Sequence, residues 1–202
     1  MLGNLSRKTF LSISNGKIQH RDKEGRVTGY DMLEGVLVNI RKSNHEIAGH
    51  PTDVVNFEIN DGDEEYSLGV IADSGVARSL VRSFSGIEDF SGRRIRIVTR
   101  LRPVNGKNYT NAFVYVDGQQ AKWAVDFPKP EEYKLPNGEV TISTKERDAK
   151  FWECVDAIIA RLREGSGPEA AEEAFEEPVE DDLPDELYSG GVSGMFGEEA
   201  TY

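Results

Sequence analysis

Few side chains in this sequence are spaced for chemistry. His45-Glu46-Ile47-Ala48-Gly49-His50 brings two histidines and a glutamate together. A zinc-protease helix needs its histidines four apart; here they are five apart, and Gly49 and Pro51 oppose a helix. A polar loop from Ser43 to Thr52 is expected instead. The run Asp61-Gly62-Asp63-Glu64-Glu65 lacks the loop of a calcium hand and is expected to be a charged hairpin turn. Cys154 lies among apolar residues at helical spacing, with His20, His45 and His50 distant in sequence, so it is expected to be a buried structural thiol rather than a nucleophile. There is no phosphate-cradling glycine loop, nucleophile elbow or kinase signature. No catalytic residue, metal or cofactor is therefore expected, and the chain does not read as an enzyme.

Binding chemistry is concentrated in Arg93 to Val116. Side chains alternate faces along a strand, so Arg94, Arg96, Val98, Arg100 and Arg102 share one face while Ile95, Ile97, Thr99 and Leu101 share the other. Pro103, Asn105 and Gly106 mark a turn. The returning run places Tyr109, Asn111, Phe113 and Tyr115 on one face and Thr110, Ala112, Val114 and Val116 opposite. An arginine stripe beside an aromatic stripe suits single-stranded nucleic acid, whose phosphates are met by charge and whose bases all offer a π-face. The alternative is a solvated edge hairpin whose rings pack on neighbouring structure, but that does not explain the arginines and rings on matching faces. Lys107 sits in the loop between the two runs, and Trp123 is a further stacking candidate, although so large a ring is more often core.

The elements that must position this hairpin can be read along the chain. Phe10–Ser14 and Lys17–His20 flank Asn15-Gly16, a strong hairpin signal. After a turn at Asp22 to Gly25, Leu33 to Lys42 alternates, with Val36, Val38 and Ile40 on one side and Leu37, Asn39 and Arg41 on the other. Val54–Asn60 and Glu65–Ile71 form another hairpin, and Ser74 to Phe84 switches to helical spacing through Val76, Ala77, Leu80, Val81 and Phe84, with Gly86 as a stop. From Leu33 onward the order is strand, strand, strand, short helix, strand, strand. That is the order of the five-stranded OB-fold Greek-key barrel, which commonly binds oligonucleotides. Gln119–Asp126 extends the sheet, Phe127–Gly138 is a proline-rich loop, and Val140–Ser143 is a short strand. Ser143 and Glu146 form a capping box for a helix whose apolar face is Phe151, Val155, Ile158 and Leu162. The expected class is thus mainly β: an OB-fold domain over residues 1–165, with an N-terminal hairpin and a C-terminal helix.

The charge balance refines this. The 202 residues carry a net charge of −12. From Gly165 to Tyr202 there are twelve acids and no Lys or Arg, so the remaining 24 acids and 24 bases cancel in the body. Arg93 to Val116 holds six bases and no acid, a local positive patch. Residues 166–202, rich in Gly, Pro, Ala and acids, are expected to be a disordered acidic tail. The single cysteine fits a reducing compartment, and no run is apolar enough for a signal peptide or membrane span, so a cytoplasmic protein is expected.

With the hairpin, the strand order and the tail in view, the chain resembles single-stranded DNA-binding proteins, particularly those of bacteriophages. The resemblance rests on the OB-like order over Leu33 to Val116, the Arg-Tyr-Phe hairpin, and EDDLPDELY from Glu180 to Tyr188. It departs in that this acidic stretch is internal, and that the second and third strands of the order carry Glu58, Asp61, Asp63, Glu64 and Glu65, which shifts the contact surface to the last hairpin. The resemblance implies sequence-tolerant binding of single-stranded DNA in replication, recombination or repair, in the host cytoplasm if phage-encoded. Arg94, Arg96, Arg100, Arg102, Lys107, Tyr109, Asn111, Phe113 and Tyr115 would contact the DNA. Asp181, Asp182, Leu183, Pro184, Leu187, Tyr188, Phe196 and Tyr202 would recruit replication or repair proteins and compete with DNA. A homo-oligomer is compatible with this reading and no membrane partner is expected. The alternative is an OB-fold protein-interaction or phage structural module that does not bind nucleic acid.

Overall fold

The computed structural model describes residues 8–165. Its strands are β1 (Lys8–Ser14), β2 (Lys17–Arg21), β3 (Val27–Tyr30), β4 (Met32–Ile47), β5 (His50–Asn60), β6 (Glu65–Ile71), β7 (Arg94–Val104), β8 (Lys107–Val116), β9 (Gln119–Gln120), β10 (Glu131–Lys134) and β11 (Val140–Ser143). The helices are α1 (Gly75–Ser85), between β6 and β7, and α2 (Lys145–Gly165). No helix among the described residues is long and apolar enough to cross a membrane.

The architecture is mainly β, and β4–β5–β6–α1–β7–β8 reproduces the expected order. It differs from a five-stranded barrel in two respects. One sheet takes nine strands in the order β3-β2-β1-β6-β5-β4-β7-β8-β9, and it is not closed. The N-terminal hairpin and β3 widen the sheet at one edge, where β1 pairs in parallel with β6, Leu11 opposite Leu68, and β9 extends it at the other beside β8. Nothing local in β1 specifies so distant a partner. The turn of the same hairpin nevertheless reaches the far side of the sheet: Gly16 N donates to Thr110 Oγ1 and Thr99 Oγ1 donates to Gly16 O, both at 2.9 Å. A Cβ at Gly16 would lie 2.8 Å from Leu101 Cβ, so this contact requires glycine as well as the turn does.

Local chemistry accounts for most of the elements. Asn15-Gly16 and Asn105-Gly106 both take positive φ, the geometry of tight hairpin turns. Ser74 Oγ accepts from Ala77 N at 3.1 Å and caps α1, whose Val76, Ala77, Leu80, Val81 and Phe84 are all buried. Burying a side chain of that size contributes about 1.5–3 kcal/mol. Phe84 stacks on Phe57 of β5 with ring centroids 5.2 Å apart. Phe151, Cys154, Val155, Ile158 and Leu162 of α2 complete the same core. Arg161 Nη1 of α2 donates to the Ser85 and Ile87 carbonyls at 3.1 and 2.6 Å, placing a cation at the C-terminal end of α1 where its carbonyls need donors.

Four expectations are corrected. In β4 the register against β5 shifts between Leu37 and Asn39, a bulge that changes which face each side chain takes. Leu33, Leu37 and Ile40 therefore fill the core, while Val38 is exposed. The expected loop at residues 43–52 is the paired end of β4 and β5, which stay in register to Ile47 and His50 across a turn at Ala48-Gly49. An alanine at φ 52° is not a turn signal that sequence supplies. Residues 131–134, placed in a loop by the neighbouring prolines, form β10 and pair with β11. Finally, α2 starts at Lys145, with Thr144 Oγ1 donating to Asp148 Oδ2 at 2.6 Å, one residue beyond the Ser143–Glu146 box.

Candidate nucleic-acid interface

The β7–β8 ladder pairs Arg96 with Tyr115, Val98 with Phe113, Arg100 with Asn111 and Arg102 with Tyr109. Directly opposed residues of an antiparallel pair point to the same side, so the arginines and rings expected to share a surface do share one. The reverse face explains why. Ile95, Ile97, Thr99, Ala112, Val114 and Val116 are buried, and a one-residue slip would put them all in water.

Leu101 departs from that alternation and is exposed, because beyond Thr99 the hairpin outruns the core. Arg100, Leu101, Arg102 and Pro103 are all exposed, as are Lys107, Asn108 and Tyr109. The distal part of β7–β8 is therefore an arm that meets solvent on both sides, anchored at its base by the Thr99 and Thr110 bonds to Gly16.

Charge divides the stripe in two. At the sheet end, Glu34 of β4 sits opposite Arg96 in the ladder and its Oε2 accepts from Arg96 Nε at 2.6 Å, while Arg94 Nε lies 3.7 Å from its other oxygen. Arg94 also donates to the Asp61 carbonyl at 3.3 Å. Arg93 is held by Asp117, which raises its pKa further. On the arm, Arg100, Arg102 and Lys107 make no ion pair or side-chain hydrogen bond with any described residue. Three exposed cations without a described acid partner thus lie beside Tyr109 and Asn111. Glu34 escaped sequence reasoning because β4 and β7 are remote in the chain.

At the other edge of β8, Phe113, Gln120, Ala121, Lys122 and Trp123 line an open recess of about 390 Å³. Trp123 is half exposed rather than core, and the Arg82 guanidinium of α1 lies 4.9 Å from its ring centroid and 5.2 Å from that of Phe127. Ala124 N donates to Arg82 O, and a Cβ at Gly86 would meet the Lys122 carbonyl at 2.3 Å. The segment carrying Trp123 is thus seated closely on the end of α1.

The other candidates occupy structural positions. His45 Nε2 lies 2.9 Å from Ser43 Oγ on β4, and His50 begins β5 beyond the turn. No group of three or more His, Cys, Asp or Glu among the described residues is placed to hold a metal ion. Asp61 Oδ1 accepts from Asp63 N and Glu64 N at 2.9 Å, and these bonds lower its pKa. The neighbouring Tyr66 hydroxyl, partly desolvated and bonded to Asp61, is pushed up to about 12. Burial raises the Cys154 thiol, which suits an inert thiol. On β5, burial alone would raise Glu58, but ion pairs with Lys8 and Arg41 outweigh it and lower its pKa. The expected partner contacts Asp181, Asp182, Leu183, Pro184, Leu187, Tyr188, Phe196 and Tyr202 lie outside the described residues.

No protein-family model, curated protein or solved structure matches this chain.

Proposed function

We propose that this protein binds single-stranded DNA without sequence preference, using the β7–β8 arm and the outer face at its base. The observation that carries this reading is the ladder itself: Arg102 opposite Tyr109 and Arg100 opposite Asn111, with both guanidiniums exposed and without a described acid partner. Arginines there meet phosphates while Tyr109, Phe113 and Tyr115 offer ring faces to bases. Arg94 and Arg96 join once phosphate replaces Glu34. The exchange is inexpensive because exposed ion pairs contribute only about 0–1 kcal/mol. In this reading β4 to β8 with α1 serve as a partly open OB-type barrel.

The acidic segment 165–202 belongs to the same proposal. Its twelve carboxylates imitate phosphate at high local concentration, so it competes for the arm until DNA or a partner protein displaces it. Truncation after Gly165 then tightens DNA binding at low salt; unchanged affinity would leave the segment a partner contact only.

The exposed β10–β11 hairpin favours a second reading. It forms a separate two-stranded sheet and exposes Tyr133, Leu135, Val140 and Ile142, a surface that suits a protein-interaction module. One experiment separates the two: anisotropy of labelled oligo-dT titrated with protein at low salt. Saturable binding weakened by Arg100→Ala with Arg102→Ala supports the first reading. No binding at low salt overturns it.

A further inference from the structure

We infer that the recess between Phe113 and Trp123 is a subsite for one unpaired nucleobase, with Lys122 beside it for the adjoining phosphate. This rests on the single-strand reading and extends the bound strand over the β8 edge, away from the arm.

Three observations converge there. Phe113 is the one ring of the β8 stripe whose partner on β7 is apolar, Val98, so no cross-strand arginine lies over it. Trp123 leaves half of its surface in water although it is the kind of side chain that gains most from burial. Its orientation is also fixed. Arg82 packs on the indole, Ala124 N is bonded to Arg82 O, and the Lys122 carbonyl approaches Gly86 too closely for any larger residue. A half-exposed ring held in place by a cation is ready to stack, since little rotamer freedom remains to be lost on binding.

The pairing supplies the cation. Tyr115 opposes Gln120 and Ala121 N donates to Val114 O at 2.8 Å, so the chain running on from β9 brings Lys122 alongside Phe113. The recess lining contains no acid. An open, largely apolar recess lined by two rings and a lysine matches a base and its phosphate. It matches a neutral or basic peptide less well, because the same ridge continues to Arg96 and Arg100.

The test exploits the presence of only two tryptophans. Trp152 packs edge-on against Phe151, so Trp152→Phe keeps an aromatic ring at that core contact and leaves Trp123 the sole reporter. Oligo-dT added to this variant should quench Trp123 fluorescence in step with the anisotropy of the labelled oligonucleotide, and an oligonucleotide of abasic sites should bind without quenching. Trp123→Ala should weaken oligo-dT binding by about 5- to 150-fold, and Trp123→Phe by less. Binding by anisotropy without quenching, or full affinity in Trp123→Ala, overturns the subsite and leaves the arm reading intact. Absence of any anisotropy change overturns both. Should Trp123→Ala fail to fold, the quenching measurement decides the question on its own.

Discussion

Glu34 and Arg96, from strands far apart in the chain, face one another across the β4–β7 ladder with Oε2 and Nε 2.6 Å apart. Glu34 also lies 3.7 Å from Arg94, so under the proposed function it would compete with phosphate on this part of the face. Glu34→Gln is expected to tighten single-strand binding at low salt by up to about 5-fold, the scale of an exposed ion pair. Stability should stay within about 0.5 kcal/mol of the original. Paired anisotropy titrations and thermal melts check both statements, and weakened binding would count against the role given to Glu34.

The rings on β8 should contribute separately from the charges. Tyr109→Ala is expected to cost about 1–3 kcal/mol of binding to oligo-dT with little change in salt dependence, whereas Tyr109→Phe should retain most of the affinity. Equal losses in both variants would mean that the hydroxyl matters, and not the ring face.

Glu58 gives the fold an acid-sensitive point away from the site. The residue is 9% exposed and its carboxylate is paired with Lys8 and Arg41. Its folded pKa is depressed, so its stabilisation is fully present above the unfolded carboxyl pKa and disappears as pH falls through the folded value. Glu58→Gln should therefore lose about 1–3 kcal/mol at neutral pH, with the gap to the original protein closing on acidification below about pH 4. Urea melts across that range read it. A gap that widened in acid would have the wrong sign.

Gly86→Ala should test how α1 seats the Trp123 segment. The added methyl would lie 2.3 Å from the Lys122 carbonyl, and backbone cannot yield as a flexible side chain can. A loss of about 1–3 kcal/mol is expected, together with a changed tryptophan emission spectrum. A neutral effect on both would show that residues 121–124 move freely.

The sequence makes the β7–β8 face legible because one side of that hairpin is core. Ile95, Ile97, Ala112 and Val114 fix the alternation, and the arginines and rings follow from it. The apolar stripes of α1 and α2 are legible for the same reason. Parallel pairing of β1 with β6 is not, because it joins segments 57 positions apart, Lys8 opposite Glu65, and leaves no periodic trace. Strand β3 passes unnoticed because all four of its residues are exposed and show no alternation of burial. In β4 a single inserted residue reverses the faces after Leu37, so a correct strand carries a wrong inside and outside. Glu34 and Arg82 enter the site only through tertiary register, which is why a stripe of four apparently equal arginines divides into a pair with an acid partner and a pair with none among the described residues.

Under the proposed function Arg100 and Arg102 neutralise phosphates, and the salt dependence of oligo-dT affinity measures that number directly. With about four phosphates neutralised, log affinity should fall against log salt with a slope of roughly −3, taking about −0.7 per phosphate for single strands. Removing both arm arginines should flatten the slope by about 1.4. A wild-type slope near zero, or a slope unaltered by Arg100→Ala with Arg102→Ala, would contradict the assignment of this arm to nucleic acid.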